Sequence, residues 1–331
     1  MPSKENYLHT KIHPFDPTKV NSIEQALEAF QGCSFQGRNL GIALEIWTKM
    51  CKEGSKCLKV LTFSGAMTPA GMAETVCCAI EHGMVDVIVA TGANITHDII
   101  NSLLGQSHYL GSSTVDDNEL YLHKINRIYD TYLPEEGFAE ARKKETRLLL
   151  EIYGTTRVVV SPSEVFAAIG ARLPGRSFLK VATQHHIPIF CGATSDSDFG
   201  LNLGEQRLKG GVNLVLDEIA DVIKFSEIIK AKNSHGTIIV GGGVPRNWGQ
   251  QVFPFFSAMG VALPHFGYTY SVRIHTATEY DGGLSGCTLE EGKTWGKYTN
   301  NASHVSVWCD ATIAFPLLVT AMVQRIKAGK I

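Results

Sequence analysis

Short apolar runs along the chain alternate with turns of small residues and with longer amphipathic stretches. Residues 58–63 (LKVLTF) and 84–90 (MVDVIVA) are apolar and rich in β-branched side chains, as buried strands are. Each run leads at once into a small-residue turn and then into a helical pattern. Strand, turn and helix in this order are typical of a doubly wound, mostly parallel sheet with helices on both faces. The pattern therefore predicts an α/β fold.

The same pattern continues to the C-terminus and predicts about six strands of parallel type in all. The further predicted strands are 186–190, 236–240, 268–275 and 304–309. The predicted helices are 22–30, 41–52, a helix from the turn after 63 through 82, 98–104, 136–153, 175–184, 213–229 and a last helix capped by Asp310. Since no linker or repeat interrupts the series, we interpret 1–21 as an N-terminal arm, extended over 1–20, and 22–331 as a single domain.

Composition narrows the class of protein. A hydrophobic fraction of 44% and a charged fraction of 19% indicate a globular chain with an ample core. The net charge of -2 gives no general attraction to nucleic acid or to an anionic membrane, and no run reaches the roughly 18 apolar residues of a membrane span. The eight cysteines form no C-x-x-C pair, which favours buried thiols in a reducing cytosol. With no secretory signal at the N-terminus, we predict a cytoplasmic protein.

Small-residue turns follow several predicted strands, at the edge of the sheet where such folds bind ligands. They are 64–71, 91–94 and 241–243, and Asp196 and Asp198 follow another strand. None is a G-x-G-x-x-G fingerprint, so two interpretations stay open for them: tight packing of strand on helix, or the approach of backbone N–H groups to a phosphate. The three consecutive glycines favour the second interpretation, because glycine costs backbone entropy that a packed domain rarely spends without need.

The stretch 290–297 (EEGKTWGK) carries the strongest candidate for covalent chemistry, Lys297. A lysine forms an imine only as the free amine, and burial beside an aromatic ring disfavours its ammonium form. Trp295 supplies such a ring, whereas Lys293 is predicted to lie on a solvated helix face. Glu291 also fits a capping box with Thr288, which is its purely structural interpretation. We predict no metal site, because the histidines lie on separate segments without ligand spacing.

Two C-terminal segments, GGLSGCTLEEGKTWGK (282–297) and VWCDATIAFPLLV (307–319), resemble the signature of deoxyhypusine synthases. Four earlier segments occur in the order and spacing of that family: SGAMTPAG (64–71), MVDVIVATGAN (84–94), HIPIF (186–190) and VGGGV (240–244). The resemblance covers roughly residues 22–325. It implies an NAD-binding, Rossmann-like catalytic domain. It also implies a homotetramer, built as a dimer of dimers, with active sites at the dimer interface.

The resemblance further implies a reaction and roles for individual residues. NAD would take a hydride from spermidine, Lys297 would capture the 4-aminobutyl fragment as an imine, and a lysine of the hypusine-containing translation factor would accept it. Glu291 falls where the family has an acid near the amine, and Trp295 where an indole flanks the substrate. The implied NAD contacts are Ser64, Gly65, Met67, Thr91, Gly92, Ala93, Asp196, Gly241, Gly242, Thr276, Ala277, Asp281, Ser285, Asp310 and Ala311.

The chain departs from the family pattern at three substrate-binding positions. Asn247 stands where eukaryotic-type members have a histidine, and Leu201 and Leu284 stand where they have acids. Burying an ammonium group without a counter-charge costs several kcal/mol, so two interpretations stay open: spermidine binds through anchors that have moved, or the substrate is a related polyamine. The acids that could replace the missing charge are Asp196, Asp198, Glu279 and Glu291.

Three functions therefore stay open at the level of sequence. The first is deoxyhypusine synthesis, which needs an open, acidic mouth for a basic protein loop. The second is a transferase similar to homospermidine synthase that acts on small diamines and can close its site. The third is a non-catalytic module that binds NAD or a polyamine, against which the presence of Lys297, Trp295 and Glu291 argues.

Overall fold

The computed structural model describes residues 3–331, so Met1 and Pro2 of the predicted arm lie outside the described residues. The strands are β1 (Cys57–Phe63), β2 (Val87–Ala90), β3 (Tyr109–Leu110), β4 (Ile125–Ile128), β5 (Thr131–Pro134), β6 (Val158–Val160), β7 (Ile189–Phe190), β8 (Leu214–Leu216), β9 (Ser234–Val240), β10 (Tyr268–His275) and β11 (Tyr298–Trp308). The helices are α1 (Ile23–Phe30), α2 (Phe35–Lys52), α3 (Ala73–Glu81), α4 (Gly92–Leu104), α5 (Asp117–Leu122), α6 (Glu135–Tyr153), α7 (Pro162–Gly170), α8 (Phe178–Gln184), α9 (Asp198–Leu208), α10 (Glu218–Lys230), α11 (Gly243–Ala258), α12 (Leu289–Thr294) and α13 (Ala311–Lys327).

A six-stranded parallel sheet with the order β11-β10-β9-β1-β2-β7 forms the centre of the fold. The chain builds outward from β1 to β2 and β7, then returns to place β9 on the other side of β1. This reversal between β1 and β9 is a topological switch point, the place where doubly wound folds bind ligands at the carboxyl ends of the strands. The predicted α/β fold with a mostly parallel sheet is confirmed.

Both faces of the sheet are covered by helices, because neighbouring residues of each strand point to opposite sides. Leu61 belongs to the core under α2, α3 and α13, where Trp47 stacks on Phe315. Val60, one residue earlier, belongs to the second core under α10, α11 and α12, together with Phe253. The strands are therefore apolar on both faces, which is why they appear in the sequence as continuous apolar runs.

Several helices begin earlier or later than the apolar pattern predicts. Helix α2 begins at Phe35 rather than near residue 41. Helix α4 begins at Gly92 rather than near 98, because the Thr91 hydroxyl accepts a hydrogen bond from Asn94 N (3.3 Å) and caps the helix directly after β2. Helix capping by Ser22 and by Asp310 is confirmed.

The predicted helix over 213–229 is wrong in its first part. Leu214–Leu216 form β8, which pairs in parallel with β6, and α10 begins only after Asp217, whose carboxylate accepts from Ala220 N (3.0 Å). Neither β6 nor α9 was predicted. A strand of three residues is too short to show alternation, so only its pairing partner distinguishes it from the start of a helix.

Two further segments lie outside the central sheet. Residues 109–134 form α5 and a small antiparallel sheet with the order β3-β5-β4. The arm, over residues 3–21, is largely exposed and contacts the domain through Phe15, whose ring packs 4.9 Å from that of Phe30. The division into an arm and one domain stays a prediction. Across residues 3–331, none of the helices combines the length and apolarity that a membrane crossing requires.

Candidate active site

The residues expected to bind the cofactor all lie in loops, or first helical turns, that follow strands of the central sheet. Ser64 follows β1, Thr91 follows β2, Gly241 follows β9 and Thr276 follows β10. Because these strands are parallel, their carboxyl ends share one edge of the sheet. The fold therefore brings the predicted cofactor positions to this edge, although they are spread over about 250 positions of the sequence.

Close backbone contacts join the loops around the switch point. The Ser64 hydroxyl donates to Val240 O (3.0 Å) and accepts from Gly242 N (2.8 Å). Gly241 has φ +77°, and a Cβ there would lie 2.5 Å from Ser64 Oγ. A Cβ on Gly242 would lie 2.9 Å from Ser285 Cα. Glycine is thus required at 241 and 242 so that the loops after β1, β9 and β10 can meet.

This edge has the chemical groups that a dinucleotide needs. Helices α4, α11 and α13 all begin here, and a helix N-terminus offers free N–H groups and partial positive charge to phosphates. Asp196 and Asp281 are exposed and can accept from hydroxyl groups, although Asp281 also accepts from Gly283 N (2.9 Å). The residues present therefore fit a bound NAD.

Lys297 lies beside this edge, between α12 and β11, and only 8% of it is exposed. Its Nζ donates to Asn247 Oδ1 (3.0 Å) and lies 6.0 Å from the centre of the Trp295 ring. It opens onto a cleft of about 280 Å³. The cleft is lined by Arg246, Asn247, Gln250, Gln251, Gly282, Gly283, Leu284, Cys287, Glu291, Trp295 and Lys297.

The surroundings of Lys297 favour its neutral form. Burial lowers the pKa of the amine below its ordinary value. The positive charge of Arg246 lowers this pKa further, whereas Cys287 and Glu291 act in the opposite direction. Because only the free amine attacks carbonyl or imine carbons, a lowered pKa makes Lys297 a better nucleophile than an ordinary lysine.

Glu291 is placed by helix α12. The Thr288 hydroxyl accepts from Glu291 N (3.0 Å) and so caps the helix, as the sequence predicts. The Glu291 carboxylate itself lines the cleft. Lys293, one turn along from Glu290, forms an ion pair with it (2.8 Å) and lies outside the cleft lining.

The predicted substrate positions are only partly brought together. Asn247, Leu284, Glu291 and Trp295 line the cleft with Lys297. Leu201 does not; it lies on α9 with 62% of its surface exposed. Of the acids considered as replacements, Asp198 forms an ion pair with Arg142, which occupies its charge.

Sequence reasoning missed five residues at or beneath the cleft: Arg246, Gln250, Gln251, Cys287 and Arg273. Three of them lie on α11, which the apolar pattern did not predict. Arg246 and Gln250 are four residues apart, as are Asn247 and Gln251, so a helix beginning at the glycine turn places these pairs on neighbouring faces. That spacing is the signal that could have found them.

Fold and site together define a doubly wound α/β protein with a buried lysine at the carboxyl edge of its sheet. The family model for deoxyhypusine synthase matches residues 25–322. The chain is 34% identical over 329 residues to a probable deoxyhypusine synthase 2 of Methanosarcina mazei, covering 98% of this chain and 93% of that protein. It is 37% identical over 304 residues to a probable deoxyhypusine synthase 1 of Archaeoglobus fulgidus, covering 92% and 94%. The chain therefore belongs to the deoxyhypusine synthase family.

The solved structures agree on the fold. The crystal structure of a putative deoxyhypusine synthase from Entamoeba histolytica superposes with a TM-score of 0.62, covering 94% of this chain and 96% of that one. The sequence identity over this match is 22%, so the likeness concerns the architecture of the sheet and its helices.

Proposed function

We propose that this protein is an NAD-dependent transferase that moves the 4-aminobutyl group of spermidine through an imine on Lys297. The acceptor is a lysine of the hypusine-containing translation factor, as in deoxyhypusine synthesis. One observation carries the proposal: a chain of this family buries the amine of Lys297 in a cleft, where its neighbour is a neutral amide oxygen 3.0 Å away.

The residues of the cleft have separate roles in the transfer. The Lys297 amine attacks the imine carbon of the oxidised donor and forms a new C–N bond. The older C–N bond breaks and 1,3-diaminopropane leaves, taking the two protons that Lys297 gives up as its amine becomes an imine. The Glu291 carboxylate, which lines the same cleft, would carry these protons between the two nitrogens. The Trp295 indole offers its face to the methylene chain and to ammonium groups.

The groups at the edge of the sheet would hold the cofactor. NAD, when bound, supplies the hydride acceptor for the carbon next to the amine nitrogen. The N-termini of α4, α11 and α13 would face its phosphates, and exposed Asp196 and Asp281 its hydroxyl groups. The remaining predicted contacts occupy the loops between these helices and their preceding strands.

The proposed assembly is a homotetramer made of two dimers, with each active site at a dimer interface. Trp295 and Leu284 line the cleft yet are 62% and 48% exposed, so a second subunit has apolar surface to cover at the mouth. Leu201 is exposed on α9, outside the cleft of its own subunit. In such an assembly, it would reach the cleft of the neighbouring subunit across the interface.

A second candidate function is transfer to a small diamine, similar to homospermidine synthesis. The observation that favours it is the charge of the cleft: among the described residues that line it, Glu291 supplies the one carboxylate, and Leu284 is apolar. Spermidine has three ammonium groups and a diamine has two, so a diamine leaves fewer of them without a counter-charge.

The test is to trap the intermediate. We would incubate the protein with NAD and either spermidine or putrescine, reduce with borohydride, and locate the adduct by mass spectrometry. A 4-aminobutyl group on Lys297 is expected, with none in Lys297→Ala and an undiminished yield in the matched control Lys293→Ala. An adduct elsewhere, or one retained in Lys297→Ala, would disprove the assignment.

The same reaction separates the candidates. Supplying the translation factor or a diamine as acceptor shows which one takes the butyl group from Lys297. Transfer to the factor supports deoxyhypusine synthesis, and transfer only to the diamine supports the second function. No adduct with any amine, although NAD binds, would leave a binding module as the remaining explanation.

A further inference from the structure

Two buried arginines lie beneath the cleft without a carboxylate partner. Arg246 on α11 is 2% exposed and Arg273 on β10 is 1% exposed. Within residues 3–331, neither of them forms an ion pair with an acid. A buried charge is normally paired, because removing it from water costs several kcal/mol. These two guanidinium groups therefore need another explanation.

Both arginines bind one short segment of the chain by its carbonyl oxygens. Arg246 Nη1 donates to Leu284 O (3.3 Å) and Cys287 O (2.6 Å), and its Nη2 donates to Thr288 O (3.4 Å). Arg273 Nη1 donates to Cys287 O (2.7 Å), and its Nη2 donates to Ser285 O. Two elements of the core thus hold the segment 284–288, which ends at the cap of α12 and so fixes the approach of Glu291 and Lys297.

Carbonyl oxygens accept hydrogen bonds from the Nη atoms of these groups but do not cancel their charge. The Nε atoms of both arginines are buried and have no hydrogen-bond partner in the described structure. The remaining field acts on its neighbours: burial, and then the charge of Arg246, lower the pKa of Arg273 to about 10. Arg246 also lines the cleft that holds the amine of Lys297.

We propose that Arg246 and Arg273 are positioning residues that clamp the segment 284–288, and that the charge of Arg246, which lines the cleft, favours the free amine of Lys297. The groups that face Lys297 are Arg246 and Asn247 from α11, Cys287 from the clamped segment, and Glu291 and Trp295 from α12. Of the charged ones, Glu291 is exposed and therefore more strongly screened by water than the buried Arg246.

The inference rests on the proposed function, because that function explains why Lys297 has to be a free amine. The test of the inference needs no turnover. We would measure the labelling of Lys297 by acetic anhydride against pH, without NAD or amine, and read the extent by mass spectrometry. Arg246→Gln removes the charge that lines the cleft, and we expect it to raise the labelling midpoint of Lys297 by at least 0.5 pH units, roughly a threefold loss of free amine near neutrality.

Charge-conserving variants separate the two roles. Arg246→Lys keeps the charge but loses the planar fork that reaches the carbonyls, so the labelling midpoint should stay within 0.2 units of the parent, about the error expected for such titrations. Hydrogen exchange of the amides in 284–288 should be faster in both Arg273→Lys and Arg273→Gln. Glu291→Gln removes a charge at an exposed position and should move the midpoint downward. This variant tests whether Lys297 responds to nearby charge even if an arginine variant fails to fold.

Two results would overturn the inference. A folded Arg246→Gln protein with an unmoved midpoint would remove the electrostatic role, and unchanged exchange over 284–288 in the Arg273 variants would remove the clamp. A protein that shows both effects yet traps no amine would contradict the proposed function and leave the inference standing. An active enzyme whose labelling midpoint does not move in Arg246→Gln would support the proposed function and contradict the inference.

Discussion

The amine of Lys297 donates to Oδ1 of Asn247 at 3.0 Å, which ties the segment before β11 to the first turn of α11. An amide oxygen accepts from an amine and from an ammonium group alike, and it adds no negative charge to the cleft. A carboxylate in the same place would stabilise the ammonium form. The pairing therefore orients the proposed nucleophile without stabilising its ammonium form.

Replacing this amide by a carboxylate should strongly reduce the reactivity of the Lys297 amine at neutral pH. In Asn247→Asp, we expect the pKa of Lys297 to rise by about 1 unit or more, since an opposite charge within hydrogen-bonding distance favours the charged form. Trapping of the amine at pH 7 should fall about tenfold and recover at higher pH. The measurement is the pH dependence of the borohydride-trapped adduct.

The matched control for this variant is Asn247→Leu, which removes the acceptor without adding charge. Its trapping profile should not move to higher pH. If Asn247→Asp and Asn247→Leu lose activity equally at every pH, the amide acts through geometry alone and the electrostatic argument fails.

Adding a carboxylate to the wall of the cleft should strengthen polyamine binding. Leu284 lines the cleft and is 48% exposed, so Leu284→Asp places an acid there without emptying the core. We expect the affinity for spermidine, measured by calorimetry, to rise about tenfold, which corresponds to about 1.4 kcal/mol.

The isosteric control for that change is Leu284→Asn, which is polar but uncharged and should leave the affinity near that of the parent. The gain in Leu284→Asp should also shrink as salt is added, because the attraction is partly exposed. Equal affinities for the two variants would show that Leu284 does not face an ammonium group.

The glycine turn after β9 should not tolerate a side chain. Gly241→Ala puts a Cβ 2.5 Å from Ser64 Oγ at a φ of +77°, so we expect the free energy of unfolding to fall by about 1–3 kcal/mol. NAD affinity should fall as well, since the loops after β1 and β9 move apart. Denaturant titration and equilibrium binding measure the two effects.

A glycine inside a helix provides the comparison. A Cβ on Gly204 of α9 meets nothing within 4 Å, so Gly204→Ala should stabilise the protein by about 0.5–1 kcal/mol and leave NAD binding unchanged. An unchanged stability of Gly241→Ala would mean that the turn adapts and that its glycines are not required.

Acid should weaken the protein through a buried pair of histidines. His108 Nδ1 donates to Asn101 Oδ1 (2.9 Å), so His97 Nδ1 must donate to His108 Nε2 (3.0 Å), and both rings are neutral. Burial lowers the pKa of each to about 4. A lowered pKa means that protonation favours the unfolded chain, so this stability is present above about pH 6.5 and is lost as the pH falls toward 4.

The variant His97→Gln removes one titrating ring from that pair. The free energy of unfolding of each protein should fall between pH 7 and pH 4. The fall should be smaller for this variant than for the parent, by about 1–3 kcal/mol, as measured by denaturant titration. His123→Gln, at an exposed position, should follow the parent curve. Parallel curves for all three proteins would show that the pair does not set the acid sensitivity.

Much of the fold could be predicted because its strands are buried on both faces. Residues 58–63 and 236–240 are continuous apolar runs for this reason, and each is followed by small residues that mark its end. Short elements could not be predicted: β8 is defined by its pairing with β6, which lies more than fifty positions earlier. Pairing across such a distance leaves no local periodicity.

The candidate site shows the same contrast between features that the sequence predicts and features that depend on packing. The sequence by itself determined the doubly wound fold, the family, and Lys297, Glu291 and Trp295 as neighbours, because they share one short segment whose composition suits a buried amine. Only the tertiary structure decided that Asn247 meets Lys297 and that Leu201 stays outside the cleft. It alone also brought Arg246 and Arg273 to the same carbonyl oxygens. Such contacts depend on the helix and strand that carry each residue, and on how those elements pack, which no pattern of neighbouring residues records.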